Sequence, residues 1–202
     1  MKKQPIFVAV DTNNIKRATQ IINATNKYIY GVKFGLEFFC SKGGREAIKK
    51  FKNKNVKIFL DLKLKDIPNT VYKAIKSLKD INPDYLTIHA SGGLEMMKAA
   101  KKAQSETNKK LKILAVTILT SLTNKDLKQM GSNSSVETHV QKLAQTAKLA
   151  KIHGIVCSAH EIKKIYFKEH PTSTHYKGIE EPRDWMFNVK GYYNSFFSFW
   201  GT

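Results

Sequence analysis

The chain has 202 residues, 42% of them hydrophobic, enough for one ordinary domain or a short α/β barrel with a real core. No apolar run approaches the ~18 residues of a membrane-spanning helix, no window resembles a signal peptide, and Cys40 and Cys157 lie far apart without metal-ligand or disulfide spacing, so a reduced, cytoplasmic protein with no metal or disulfide framework and no membrane partner is expected. The formal charge of +19 admits a nucleic-acid binder, but the lysines are scattered, without an arginine-rich block or interleaved aromatics, and the expected reading is a solvated basic surface that draws in an anionic substrate, with no nucleic acid.

Apolar runs then alternate with amphipathic stretches along the chain. Ile6 to Val10 reads as a strand and Ile15 to Thr25 as a helix. Ile29 to Phe34 is a second strand, followed by a helix from about Gly44 to Asn53. Val56 to Leu60 is a third, and a helix opens near Pro68, a residue suited to a first helical turn. Tyr85 to His89 and Gly93 to Gln104 form the fourth pair. Lys112 to Leu119 is a fifth strand, Val136 to Ala150 a long helix, and Gly154 to Cys157 a sixth strand. A last helix starts at Ala159 to Ile165. Such alternation implies a parallel sheet with helices outside it.

Polar residues recur where these strands end: Asp11, Lys33, Asp61, His89 and then Thr117 to Ser121. That regularity favours a TIM-type (β/α)₈ barrel, whose active-site groups gather at strand ends. A doubly wound sheet usually carries a glycine-rich loop after its first strand, and Asp11-Thr12-Asn13-Asn14 is not one. Six strand–helix units are used by residue 165. The 37 residues that follow hold 11 of the 21 aromatics and balance four basic against four acidic residues. The expectation is a barrel truncated after about six units (1–165) with a divergent aromatic tail (166–202), as a frameshifted or prematurely ended gene would give. Tyr192 to Trp200 could form a β segment or a sticky end.

Asp61-Leu62-Lys63-Leu64-Lys65-Asp66 carries the most chemistry. Side chains on a strand alternate, so Asp61 and Lys63 share a face. An acid and a base at the mouth of a buried strand lose hydration unless they pair. Lys33 follows Gly31-Val32 inside an apolar strand and has the same character. His89, His139, His153 and His160 show no ligand spacing and read as structural or exposed.

Asp61-Leu62-Lys63-x-x-Asp66-Ile67-Pro68-Asn69-Thr70 resembles the diagnostic motif of orotidine 5′-phosphate decarboxylases. Val8-Ala9-Val10-Asp11, Val32-Lys33-Phe34-Gly35, Thr87-Ile88-His89-Ala90, Ala115 to Ser121 and Gly154 to Ala159 resemble other strands of that family, in order, over about residues 5–165. The family's Thr-Pro-Gly-Ile-Arg and Ile-Gly-Arg stretches, which grip the substrate phosphate, have no counterpart, and Gly178 and Arg183 stand in no matching context.

The resemblance implies cofactor-free decarboxylation of orotidine 5′-phosphate to UMP. Lys63 would be the proton donor, Asp61 would face the departing carboxylate, and Lys33 and Asp66 would complete an alternating charge network. Asp11 would hold ribose hydroxyls, and Thr120 would contact the base or help a lid close. Asp66, Ile67 and Thr70 would reach a neighbouring site, which implies a homodimer. A truncated remnant without turnover, and a related magnesium-dependent ketose-phosphate enzyme, are the alternatives. Little or no turnover is expected if the phosphate grip is truly missing, because binding energy remote from the reacting carbon supports the transition state.

Overall fold

The computed structural model describes residues 4–158, Glu161, Ile165 and residues 195–199. The composition break at residue 166, with Gly178 and Arg183, lies outside them. In chain order the elements are β1 (Gln4–Val10), α1 (Ile15–Thr25), β2 (Ile29–Gly35), α2 (Leu36–Cys40), α3 (Gly44–Phe51) and β3 (Lys57–Leu64). There follow α4 (Pro68–Ser77), β4 (Tyr85–His89), α5 (Gly93–Thr107), β5 (Lys112–Val116), α6 (Asn124–Gln129), α7 (Val136–Leu149), β6 (Gly154–Ser158) and β7 (Ser195–Phe199). The strands form one sheet in sequence order, with β1 to β6 parallel and β7 antiparallel to β6. Six parallel strands with their helices make an α/β half-barrel, the expected fold class.

Local sequence explains the helices. Asn14 caps α1 by accepting from the Arg17 N–H, and Ala18 and Ile22, one turn apart, are fully buried. Pro68 opens α4, which buries Val71 and Ile75. Ser135 caps α7 by accepting from the Thr138 N–H, and Val140, Ala144 and Ala147 face inward. The short helices α2 and α6 are not apparent in the apolar pattern. Helix α6 is set by a capping box, in which Thr123 and Asp126 satisfy each other's backbone N–H groups.

Adjacent strand residues divide between two apolar layers, as the period of two requires. Ile58 and Leu60 of β3 pack in the large cluster shared with the helices, whereas Phe59 joins Phe7, Leu114, Val116 and Val156 on the concave face. There the Phe7 ring meets Tyr30 at 5.3 Å, Tyr85 at 5.3 Å and Phe59 at 5.7 Å, all edge-on. Gly31 makes this floor possible. A Cβ on it would fall 2.5 Å from both the Lys57 carbonyl oxygen and Phe7 Cε1. Gly31→Ala is therefore expected to lower stability by about 1–3 kcal/mol, the usual cost of overpacking. Urea denaturation checks this, and an unchanged midpoint would show that β2 and β3 part without penalty.

Two strand ends differ from expectation by three or more residues. Strand β3 runs four residues past Leu60, because its charged end pairs with neighbouring strands instead of turning to solvent. Strand β5 stops at Val116, where the Thr117 N–H and hydroxyl both turn to the Val156 carbonyl, at 3.1 and 3.0 Å. Within the aromatic stretch, Ser195 to Phe199 adds to the β6 edge, with Ser195 beside Ser158 and Phe199 beside Gly154.

Candidate active site

The site is built where β2, β3 and β4 end. Strands β2 and β3 keep an even register, with Lys33 opposite Phe59 and Gly35 opposite Asp61. Strands β3 and β4 do not: Leu60 pairs with Leu86, but Leu64 pairs with Ile88, so β3 spends four residues where β4 spends two. Lys63 sits inside this bulge with φ +49°, a left-handed conformation that is unfavourable for any residue with a Cβ. Bulges re-aim side chains, and this one turns Lys63 back over its own strand.

The resulting cluster centres on Asp61. Its Oδ2 accepts from Lys63 Nζ at 2.8 Å and from Lys33 Nζ at 3.2 Å. Its Oδ1 accepts from the Thr87 hydroxyl at 2.9 Å. The Asp61 side chain is 12% exposed, against 16% for Lys33 and 32% for Lys63. The carboxylate is thus held from within while the Lys63 amine reaches the open side. Burial pushes the Asp61 carboxyl up, but Lys33 and then Lys63, with the Lys63 and Thr87 hydrogen bonds, outweigh it and hold its pKa below the ordinary 3.8. His89, at the end of β4, is held below its ordinary value by burial first and then by Lys65 and Lys63, although Asp61 opposes them. The shift favours the neutral imidazole.

Thr87 is the residue that the sequence reading passed over. It is fully buried. Its hydroxyl accepts from the Lys63 N–H at 2.9 Å while donating to Asp61, so one side chain ties the bulge to the carboxylate. Counting back two from His89 along β4 puts Thr87 on the same face, beside the acid of β3; that was the available signal.

The other expected residues are exposed at or beyond the strand ends. Asp11 is exposed just past β1, and Thr120 is exposed between β5 and α6. Asp66 is exposed, and its Oδ1 accepts from the Ile67 N–H at 2.7 Å. Ile67 is 67% exposed, and Thr70 projects to solvent in the first turn of α4. Lys33, Asp61 and Lys63 are thereby joined by ion pairs, whereas among the described residues Asp11 and Asp66 form no ion pair with them. Among the described residues, no group of three or more His, Cys, Asp or Glu is placed to hold a metal ion. No helix there is long and apolar enough to cross a membrane.

The family model described as "Orotidine 5′-phosphate decarboxylase / HUMPS family" matches residues 4–180. The chain belongs to this family. It is 40% identical over 162 residues to the orotidine 5′-phosphate decarboxylase of Wolbachia sp. subsp. Brugia malayi, covering 80% of this chain and 71% of the relative. The corresponding protein of Sphingopyxis alaskensis is 41% identical over 159 residues, 79% of this chain and 69% of the relative. Among solved structures, the orotidine 5′-phosphate decarboxylase of Lactobacillus acidophilus superposes with a TM-score of 0.73 at 34% identity, over 81% of this chain and 75% of that one. An uncharacterized conserved protein from Geobacillus kaustophilus gives 0.75 at 31% identity, over 80% and 77%. In this member of the orotidine 5′-phosphate decarboxylase / HUMPS family, the Lys33–Asp61–Lys63 cluster lies on the matched strands.

Proposed function

We propose that the chain decarboxylates orotidine 5′-phosphate to UMP, without metal or organic cofactor, in cytoplasmic pyrimidine synthesis. The observation that carries this reading is the Asp61 carboxylate bridged between two lysines, with Lys63 aimed from a strained backbone. In the reaction the bond from C6 to the carboxylate breaks and CO₂ leaves. The electron pair stays on C6, which has no covalent electron sink, and takes a proton from Lys63 Nζ. Fixed charges stabilise such a carbanion because they need no reorganisation as it forms. Asp61 would lie against the departing carboxylate, and Lys33 would hold Asp61 and the substrate in place. Asp11 is assigned to the ribose hydroxyls and Thr120 to the base side. The exposure of Asp66, Ile67 and Thr70 supports a homodimer in which these residues enter the neighbour's site. Residues 1–165 are proposed as the barrel unit and 166–202 as a divergent tail.

The test is turnover of orotidine 5′-phosphate by the purified chain, followed by loss of orotidine absorbance, with sedimentation to establish the dimer. Absence of turnover from a folded chain would reject the activity and leave the remnant reading standing. The HUMPS branch of the family description supports one further reading, a magnesium-dependent ketose-phosphate enzyme. Turnover of orotidine 5′-phosphate that persists in a chelator excludes it.

Thr87 enters this mechanism as a positioning residue. Losing a hydrogen bond to a charged acceptor costs about 1.5–3 kcal/mol, so Thr87→Val should lower kcat roughly 10- to 100-fold. Thr87→Ser, which keeps the hydroxyl, should recover most of it. Equal losses in both variants would point to packing alone.

A further inference from the structure

The lysines are scattered along the chain, but the fold gathers part of them. Strands β1 to β6 are parallel, so every connection from a helix into a strand lies at the end of the sheet opposite Asp61. The connection into β3 carries Lys52, Lys54 and Lys57, and the connection into β5 carries Lys109, Lys110 and Lys112. Between them, the connection into β4 sets Lys79 against Asp80 and Asp84. At the other end, Asp11 and Asp66 stand against Lys65 in the connections out of β1 and β3. The positive excess of the connections therefore faces away from Asp61.

Hydrogen bonds and ion pairs join these connections into one surface. Lys52 and Lys57 pair with Asp84 at 2.6 and 2.9 Å, and the Lys112 N–H donates to the Asp84 carbonyl at 2.8 Å. Neighbouring strands lie about 4.8 Å apart, so Lys57 and Lys112, two strands apart, start roughly 10 Å from each other. Lys54, Lys109, Lys110 and Lys112 are exposed, and among the described residues they form no ion pair. Past Lys112 the surface stays basic. Lys101 Nζ of α5 lies 2.8 Å from His153 Nε2, and burial, then Lys101 and Lys112, push that imidazole down to about 4.

Aromatic rings flank the same lysines. Tyr28, just before β2, is 53% exposed, and Tyr30, within β2, is 36% exposed. Gly31 lies opposite Lys57 in the β2–β3 register, and Tyr30 bears electrostatically on Lys57. Phe7 braces the Tyr30 ring edge-on, and the Tyr30 hydroxyl lies 3.4 Å from that of Tyr85.

We propose that this face binds a single-stranded nucleic acid, with phosphates along the lysines that lead into β3 and β5 and an unpaired base stacked on Tyr28. Ammonium groups neutralise phosphates without reading sequence, and an exposed ring accepts any base. A duplex hides its base faces, and an acidic lipid surface has none, so tyrosines among the lysines favour a single strand. The surface is remote from Asp61 and stands independently of the decarboxylase reading.

The experiment is fluorescence anisotropy of a fluorescein-labelled oligouridylate of about 12 residues, titrated with the intact chain between about 50 and 200 mM salt. Four engaged phosphates would make log Kobs fall against log salt with a slope of about −3. Lys54→Gln, Lys110→Gln and Lys112→Gln combined should weaken binding more than about tenfold at 100 mM salt and flatten the slope towards about −1. Lys42→Gln, Lys125→Gln and Lys128→Gln remove as much charge from exposed positions beyond the Asp61 end of the strands. At more than a Debye length they should change affinity by no more than about twofold. Tyr28→Ala should weaken oligouridylate at least about fivefold, yet leave binding of inorganic polyphosphate, which has no bases, unchanged. Circular dichroism confirms the fold of each variant. Absence of binding at the lowest salt, equal losses in the two triple variants, or oligouridylate affinity unchanged by Tyr28→Ala would each overturn the proposal. So would tighter binding to vesicles of phosphatidylcholine and phosphatidylserine than to the oligouridylate.

Discussion

Replacing Lys63 with alanine is expected to reduce the proposed decarboxylation of orotidine 5′-phosphate by at least about 10³-fold, since it removes both the proposed proton donor and a fixed positive charge beside the carbanion. The geometry explains why no neighbour should compensate. Lys33 approaches the same Asp61 oxygen from β2 at 3.2 Å and is the more enclosed of the two amines. Lys63 reaches the site through a bulge that β4 stabilises by way of Thr87. The loss should fall on kcat more than on KM, since protonation of C6 belongs to the transition state. Steady-state kinetics on a variant with wild-type circular dichroism decide the matter, and turnover close to wild type would refute the assigned role.

The next largest effect is expected from Asp61→Asn. It is nearly isosteric, yet it leaves Lys33 and Lys63 facing each other without their shared anion. Breaking a fully buried pair costs about 3–5 kcal/mol, and solvent reaching the lysines should reduce this to roughly 1–3 kcal/mol at pH 7. The pH dependence has a fixed sign. The folded pKa of Asp61 lies below the ordinary 3.8, so its ionisation stabilises the fold at higher pH. The stability gap between wild type and Asp61→Asn should be constant above about pH 5 and shrink as pH falls through the folded pKa. Urea denaturation between pH 3 and 7 measures it, and a gap that widened in acid would contradict the linkage. Turnover by this variant should also be close to nil.

Much of the fold was legible because apolar runs and amphipathic stretches follow their periods closely. The bounds of α1 and β4 match the expectation residue for residue. Strand β3 was cut short because Asp61 and Lys63 look like loop residues until Lys33 and Thr87, distant in sequence, are placed beside them. The bulge was hidden for a related reason: a left-handed lysine has no sequence signature, and the mismatch with β4 appears only once the strands pair. The Asp61–Lys63 association was anticipated from alternation, and Lys33 was joined to it only by the family resemblance. The contact between Lys101 and His153 could not be anticipated, since it joins residues 52 apart through the packing of α5 beside β5. The direction of the aromatic segment was equally hidden, because its pattern suits either sense of pairing.

Strand direction also fixes which end of the sheet is free for attachment. Strand β1 starts at the end of the sheet opposite Asp61, and β7, running the other way, finishes there beside Gly154. Lys57, which opens β3, and Lys112, which opens β5, are exposed at that same end. A fluorophore or a bead coupled to either lysine would therefore leave from the side facing away from the Lys33–Asp61–Lys63 cluster, and protein immobilised there would keep the cluster's side open to solution.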